Sequence, residues 1–377
     1  MKLLLILICF ALAAPLAAQQ APVMEAHVDG EVRGSDIRVG PDRMTGQPPV
    51  LWTGEISQPG ADYIRLLLRI EGEGFDPAAF VRLVSALDQS FDIPLTTIGP
   101  EGYWTNLMPL GRVRLALVSQ SVPQEAALII ENLAVQSAKG SLYSTWGENE
   151  ILPINAQEVP EAIRALAAPV AFLSFIDGGF ARTCTGFLIE PDLLATNEHC
   201  INSAETCRSM TAVFGYEFDP QNRLVMGPQL RCDEYDDTRS TFDLDVSVIR
   251  LNRPVGPEYV PVDITTDMPD PDGPLFIIQH PGSQPKQVSF INCAAVQTGV
   301  DGRATGSDFT HTCDTAGGSS GSPVFNADGV LVGVHHFGFM DDTDGIWSEN
   351  RSTHADQIGA WWKGCCQPVD ATAPTAD

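Results

Sequence analysis

The sequence is poor in positive charge and in long apolar runs. Its 377 residues include 22 Lys and Arg against 48 Asp and Glu, which gives a net charge of −26 at pH 7. The acidic excess is spread along the chain, so it favours solubility and repels nucleic acids and anionic membranes. After the N-terminal run, no apolar stretch approaches the roughly 20 residues of a membrane-spanning helix. We therefore expect no nucleic-acid binding and no stable membrane insertion.

Metal-binding patterns are also missing. The nine cysteines and seven histidines form no Cys-x-x-Cys or His-x-x-x-His pairs, which disfavours a zinc site. The acidic stretches 267–273 and 341–345 lack the closing Glu of a calcium loop. Asp, Pro and Gly are ordinary turn formers, so these stretches are predicted to be solvated loops. We expect no cofactor and no metal.

The N-terminal segment is typical of a secretory signal. Lys2 precedes the apolar run 3–12 and the small residues 13–18, and this run is too short for a membrane anchor. Removing Cys9 from the nine cysteines leaves eight, all between residues 184 and 366, within the candidate catalytic region. An even number is typical of disulfides formed in an oxidising compartment. The protein is therefore expected to be secreted or periplasmic.

Three short segments carry the candidate chemistry. His199 ends the segment Thr-Asn-Glu-His, Asp245 opens an alternating segment over 245–251, and Ser320 lies in Gly-Ser-Ser-Gly-Ser-Pro over 318–323. A serine hydroxyl needs a base to take its proton and a third group to orient that base. The order His, Asp, Ser differs from the orders of α/β-hydrolases and subtilisins. The three segments together predict a serine peptidase.

These segments resemble those of the trypsin/chymotrypsin superfamily, over roughly residues 160–365. The segments 320–326, 332–335 and 279–282 are similar to those of bacterial glutamyl endopeptidases. The resemblance implies His199 as base, Asp245 as acid and Ser320 as nucleophile, with Asp243 a weaker rival for the acid.

The same resemblance implies the surroundings of the nucleophile. The backbone N–H groups of Gly318 and Ser320 would form the oxyanion hole, and a Cys184–Cys200 disulfide would clamp the His loop. Ser319 replaces the Asp with which a new N-terminus pairs in trypsin, so that activation device is not expected. Pairs Cys207–Cys232 and Cys293–Cys313 are plausible sequence neighbours, and Cys365 and Cys366 are left unassigned.

The expected substrate pocket contains conflicting signals. Thr315 and His335 fall where glutamyl endopeptidases hold a substrate carboxylate, whereas Asp314 falls where trypsin binds Lys or Arg. A pocket carboxylate attracts a cation and repels Glu, although Asp314 is equally well explained as a structural turn residue. His336 adds a polar group of unknown direction. We favour cleavage after Lys or Arg, with Glu specificity as the alternative.

The surplus chain before the catalytic region predicts a second unit. Residues 20–143 are expected to form a small β-sandwich, with strands at 50–56, 63–70, 80–86, 113–118 and 127–133. The segment 102–105 resembles β-rich regions that precede lysyl endopeptidase-like domains. Such a unit serves as a folding-assisting pro-domain, as a docking domain for a surface, or as a spacer.

The remaining boundaries complete an all-β prediction. We expect a linker over 144–160, a peptidase domain over 161–366 and a disordered tail over 367–377. Two six-stranded antiparallel barrels would hold the site in the cleft between them, and Ser352 or Thr353 would cap a C-terminal helix. Protein or peptide substrates are the expected partners. The alternative is an inactive peptidase-fold binding protein.

Overall fold

The computed structural model describes residues 25–136, 143–145, 147–264, 268–340 and 347–366. The predicted signal segment 1–18, the tail 367–377 and the acidic stretch 341–345 lie outside the described residues. Within the described part of the chain, no helix is long and apolar enough to cross a membrane.

Strands dominate the chain from its N-terminal part onward. The first nine are β1 (His27–Val39), β2 (Val50–Ser57), β3 (Tyr63–Glu71), β4 (Phe80–Ser85), β5 (Ser90–Pro94), β6 (Tyr103–Trp104), β7 (Met108–Pro109), β8 (Arg112–Val118) and β9 (Ala127–Gln136). A connecting segment follows, with β10 (Tyr143–Ser144), β11 (Leu152–Pro153) and α1 (Glu161–Ala165).

The rest of the chain forms two further groups of strands. The first group is β12 (Val170–Asp177), β13 (Phe180–Glu190), β14 (Leu193–Thr196), α2 (Ala204–Ser209), β15 (Thr211–Phe214), β16 (Glu217–Phe218), β17 (Leu224–Val225), β18 (Gln229–Glu234), β19 (Ser240–Thr241) and β20 (Val246–Leu251). The second is β21 (Leu275–Gln279), β22 (Gln287–Ser289), β23 (Ala295–Val300), β24 (Asp308–His311), β25 (Thr315–Ala316), β26 (Pro323–Asn326), β27 (Leu331–Met340), β28 (Trp347–His354) and α3 (Ala355–Cys365).

The N-terminal strands form a sandwich of two sheets, as predicted. The sheet β2-β8-β4-β5 packs on the sheet that contains β1, β9 and β3. Strand β8 shows this alternation: Val113, Leu115 and Leu117 are buried, whereas Arg112 and Arg114, which alternate with them, are exposed. This period of two places one apolar face of each sheet on the shared core.

The first barrel closes completely, and the second does not. Strands β12-β15-β18-β20-β14-β13 form a closed ring, because β12 also pairs with β13. In the second group the order is β22-β21-β26-β27-β28-β24-β23. Among the described residues, β21 and β23 meet only at their flanks, through an isolated bridge between Pro274 and Ala294 and a hydrogen bond from the Leu275 N–H to the Cys293 carbonyl oxygen at 2.8 Å. The predicted all-β arrangement of two barrels is confirmed, with the first barrel closed and the second a half-barrel.

The sandwich and the first barrel share a sheet. Strand β1 pairs with β9 on one side and with β13 of the barrel on the other. The side chain of Arg65, fully buried, crosses from β3 and donates to the carbonyl oxygens of Thr105, Ser174 and Ser209. Three buried carbonyls in two parts of the fold therefore depend on one guanidinium.

The prediction for the start of the C-terminal helix is wrong. Ser352 and Thr353 belong to β28, and His354 is the residue that precedes α3. The Thr353 hydroxyl is used elsewhere, since it donates to the carbonyl oxygen of Leu244 at 2.9 Å. Ile358 and Trp362 of α3 pack into a core to which both barrels contribute residues.

Candidate active site

The loop that follows β14 positions His199. A disulfide joins Cys184 of β13 to Cys200, and both sulfur atoms lie within 4.8 Å of a ring nitrogen of His199. The Thr196 hydroxyl donates to the carbonyl oxygen of Thr185 at 2.8 Å. These contacts fix the loop to the barrel wall. Because the two sulfurs are bonded to each other, this group of residues is not a thiolate metal site.

Asp245 lies directly before β20 and is completely buried. Its φ of 52° is left-handed, which is uncommon outside glycine, and the Asn197 amide donates to its carbonyl oxygen at 2.9 Å. His199 contacts its carboxylate twice. The His199 backbone N–H donates to Oδ1 at 3.0 Å, and ring atom Nδ1 lies 2.8 Å from Oδ2.

The electrostatics around Asp245 favour its ionised form. Burial acts to raise the pKa of Asp245, but its interactions with His199 and His336 outweigh burial and hold that pKa below the usual range. Arg303 adds a further cation, with Nη1 3.2 Å from Oδ1 of Asp245. The ionised carboxylate thus orients a His199 ring that carries a proton on Nδ1. Asp243, the rival acid, is exposed two residues away.

Arg303 was not identified from the sequence. Its guanidinium is almost fully buried, lies 2.7 Å from the Glu198 carboxylate and stacks 4.2 Å from the centroid of the Phe242 ring. It therefore joins the residue before His199 to the carboxylate of Asp245. The acidic neighbour Glu198 was the one available signal in the sequence, and it does not specify a partner more than a hundred residues away.

Glycines shape the loop that carries Ser320. Gly318 and Gly321 have φ values of 96° and 86°. A Cβ at Gly318 would lie 2.8 Å from the carbonyl oxygen of His280, and one at Gly321 would lie 2.1 Å from that of Thr185. Only glycine fits such positions without strain. The loop is anchored to the first barrel because the Thr185 N–H donates to the Ser320 carbonyl oxygen at 2.8 Å.

The predicted oxyanion donors are available. Among the hydrogen bonds of the described residues, neither the Gly318 N–H nor the Ser320 N–H has a protein acceptor. The neighbouring N–H groups are occupied: Ser319 donates to Ala316 at 3.0 Å and Gly321 donates to His335 at 2.8 Å. Two free donors flanking a serine hydroxyl are what an oxyanion hole requires.

The hydroxyl of Ser320 donates to the backbone carbonyl oxygen of His336 at 3.2 Å. Within the described chain, Ser320 and His199 share no side-chain hydrogen bond. Catalytic hydrogen bonds are often loose until substrate binds.

Of the predicted pocket residues, Thr315 lies on β25, Asp314 directly precedes that strand, and His335 lies on β27. Asp314 is buried, and its Oδ2 accepts the Glu150 N–H at 2.8 Å. The Thr315 hydroxyl donates to the side-chain oxygen of Asn350 at 3.2 Å. Strand β10 pairs with β25, with Ser144 opposite Thr315. The connecting segment between the sandwich and the barrels thus packs against the strand that carries Thr315.

His335 faces another histidine. Its Nδ1 lies 3.4 Å from Nε2 of His311, and both residues are buried. Burial lowers the pKa of His311 to about 3 and holds the pKa of His335 well below its ordinary value. Both rings are therefore neutral at pH 7 and add no positive charge to the pocket.

His336, whose direction the sequence left open, points into the cluster. Its ring lies between the carboxylates of Asp245 and Asp308. Asp308 was not identified from the sequence. It opens β24 ten residues before the segment 318–323, and the pattern around it is that of an ordinary strand end.

The other cysteines are also paired. The structure contains disulfides between Cys207 and Cys232, between Cys293 and Cys313, and between the adjacent Cys365 and Cys366. The sequence left Cys365 and Cys366 unassigned, and the structure pairs them with each other.

Comparisons with known proteins identify the family of the region that holds these residues. Residues 184–334 match the family model described as a trypsin-like peptidase domain. An uncharacterized protein of Sinorhizobium fredii, y4fB, is 29% identical over 250 residues, which cover 60% of this chain and 37% of that protein. This chain therefore spans well under half of the curated relative.

Two solved structures are similar at low identity. A Glu endopeptidase in complex with MPD is 19% identical, covers 58% of this chain and 96% of its own, and superposes with a TM-score of 0.43. An inactive mutant form of Rv3671c from M. tuberculosis is 16% identical, covers 55% and 93%, and has a TM-score of 0.42. These superpositions add nothing to the family match. The match itself spans all three motifs, and residues 184–334 are a trypsin-like peptidase domain, as the motifs predicted.

Proposed function

We propose that this chain is an exported serine endopeptidase that cleaves peptide bonds through an acyl-enzyme. The contact of His199 Nδ1 with Asp245 Oδ2 at 2.8 Å, beside a serine on a glycine-shaped loop, carries the proposal. In this proposal His199 is the oriented base, Asp245 the buried acid and Ser320 the nucleophile. The four disulfides and the signal-like segment 1–18 support an oxidising compartment outside the cytoplasm.

The proposed reaction proceeds in two transfers. The Ser320 Oγ attacks the peptide carbonyl carbon while His199 Nε2 takes the hydroxyl proton, and the carbonyl oxygen becomes an oxyanion held by the Gly318 and Ser320 N–H groups. His199 then gives this proton to the leaving amine, and the C–N bond breaks. Water attacks the ester by the same route and releases the acid. Asp245 stays ionised and stabilises the imidazolium.

For side-chain preference, we propose Lys or Arg before the scissile bond. Asp314 lies six residues before Ser320, where the resemblance to trypsin implies the carboxylate that binds a basic side chain, and its Oδ2 accepts the Glu150 N–H at 2.8 Å. His311 and His335 are neutral at pH 7, so neither adds a positive charge of its own. A carboxylate at this position attracts a cationic substrate side chain and repels a Glu side chain.

A peptide library varied at the residue before the scissile bond tests both parts. We expect the parent protein to cleave after Lys or Arg, and Ser320→Ala to cleave nothing. Asp314→Asn keeps an acceptor for the Glu150 N–H but removes the charge, so it should lower kcat/KM for Lys and Arg peptides. His335→Gln serves as the matched variant and should leave that preference unchanged. Cleavage after Glu would contradict the preference alone, and absence of cleavage by parent protein would contradict the peptidase.

A further inference from the structure

His336 is buried between the carboxylates of Asp245 and Asp308. The proposed peptidase reaction uses only the first of these two carboxylates. Its Nδ1 lies 3.3 Å from Oδ2 of Asp245, and its Nε2 lies 2.8 Å from Oδ2 of Asp308. All three side chains are withdrawn from solvent. The other carboxylate oxygen of Asp308 accepts the Ser307 hydroxyl at 2.7 Å, which holds Asp308 in place.

The chemistry of the contacts determines the protonation state of the ring. An ionised carboxylate only accepts hydrogen bonds, so each ring nitrogen that faces one must carry a hydrogen. A neutral imidazole has one N–H and would turn a lone pair toward one of the two carboxylates. In a buried site that unpaired contact is costly. With both carboxylates ionised, both contacts are satisfied together only by the imidazolium.

The surrounding charges agree with this assignment. Burial acts to lower the pKa of His336, but Asp308 and Asp245 raise that pKa to about 9. His335 on the same strand and His311 on β24 are neutral at pH 7 because burial lowers their pKa values. The other titratable groups that face the cluster are His199 and Arg303 beside Asp245, and His354, whose pKa burial lowers.

His336 also reaches the nucleophile. Its backbone carbonyl oxygen accepts the Ser320 hydroxyl at 3.2 Å, while its ring contacts the Asp245 carboxylate. A single residue therefore lies against two members of the proposed triad. Asp245 Oδ2 is shared between His199 and His336, so the position of one ring affects the other.

We propose that His336 is a positioning residue of the peptidase site, whose imidazolium bridges Asp308 and Asp245 and holds the Asp245 carboxylate against His199. This role rests on the proposed function. When the ring loses a proton, the remaining hydrogen stays on the shorter contact to Asp308. The lone pair of Nδ1 then faces Asp245 Oδ2 and displaces the carboxylate from His199, so activity falls on the alkaline side.

The pH dependence of peptide cleavage is the first test. In the parent protein, kcat should fall as the pH rises through about 9. His336→Gln should lower kcat at neutral pH by about 10²-fold, the scale of a misplaced catalytic group, with KM nearly unchanged. It should also lose the alkaline fall. Asp308→Asn should move that fall to lower pH, because it removes the largest influence that raises the pKa of His336.

His354→Gln is the matched control. His354 lies beside the cluster, and its Nε2 accepts the Gly299 N–H at 3.2 Å, a bond that the glutamine oxygen retains. Its rate and pH profile should equal those of the parent. Circular dichroism checks that each variant is folded. A His336→Gln protein with the parental kcat and alkaline fall overturns the proposal.

A direct measurement of the protonation state of His336 does not depend on turnover. Nitrogen-15 NMR of the histidine rings in the Ser320→Ala protein should show one imidazolium at neutral pH that titrates near pH 9. His336→Gln identifies that signal by its loss. A neutral His336 in an active parent overturns the positioning role alone. A parent that cleaves no peptide while the imidazolium is present overturns the proposed function, and the positioning role with it.

Discussion

Replacing Arg65 tests how firmly the sandwich is joined to the first barrel. The side chain is fully buried and donates to the carbonyl oxygens of Thr105, Ser174 and Ser209, and to the Thr211 hydroxyl at 3.1 Å. Arg65→Met fills much of the volume and removes every donor. A buried acceptor left without a partner costs about 1–3 kcal/mol.

The size of the effect follows from these contacts. Three carbonyls left without a donor, at about 1–3 kcal/mol each, would cost about 3–9 kcal/mol of stability. The Thr211 hydroxyl is not counted, because a hydroxyl can rotate to another partner. Relaxation around the site brings single substitutions toward the lower end, so we expect a loss of about 3–5 kcal/mol in the free energy of unfolding. Because the acceptors lie in both parts of the fold, the loss should affect the sandwich and the barrel together.

Urea unfolding followed by circular dichroism and tryptophan fluorescence measures this loss. Arg82→Met is the matched control, since Arg82 is exposed on β4 and pairs with Asp92 at the surface. Such exposed pairs add little stability, so the control should unfold like the parent. If Arg65→Met also unfolds like the parent, the reasoning about the buried guanidinium is refuted.

Three further predictions concern the site and its support. Asp245→Asn should lower kcat by about 10⁴-fold at neutral pH, because an amide favours the wrong His199 tautomer, as steady-state kinetics will show. Gly318→Ala should lower kcat by about 10²–10³-fold with little change in KM, since its Cβ would lie 2.8 Å from the His280 carbonyl oxygen and distort the oxyanion loop. Burial raises the pKa of Asp29 to about 6 from 3.8, despite hydrogen bonds that include those from Ser283 and Tyr63. The folded protein therefore binds this proton more tightly than the unfolded chain, and the stabilisation is lost as the pH rises from about 4 through 6. Asp29→Asn should flatten that loss in thermal unfolding measured across this range, and an unchanged pH dependence would contradict the assignment.

Local pattern was enough for much of the fold and for the three motifs. The strands β2 to β4, β8 and β9 lie where the sequence predicted short strands separated by turns that contain Pro or Gly. The order of His199, Asp245 and Ser320 likewise follows from short segments. The wrong cap at α3 arose because Ser352 and Thr353, good capping residues, are held in β28 by strand pairing.

Contacts between distant residues could not be predicted in this way. The pairing of β1 with β13, and the contacts of Arg303 with Glu198 and of His336 with Asp245, join residues that are about 90 or more apart in sequence. No local period encodes such a partner. A lone charged residue in a strand is ordinarily solvated, so its burial opposite another charge is visible only once the fold is known.

Covalent labelling of the nucleophile tests the central claim most directly. The intact protein is treated with a fluorophosphonate that reacts with activated serines, and the modified residue is located by mass spectrometry. The account predicts an adduct on Ser320 in the parent protein, with labelling slowed by more than about 10³-fold in a folded His199→Ala variant. An unlabelled Ser320, or labelling that proceeds equally well without His199, would contradict the assignment of these residues as nucleophile and base.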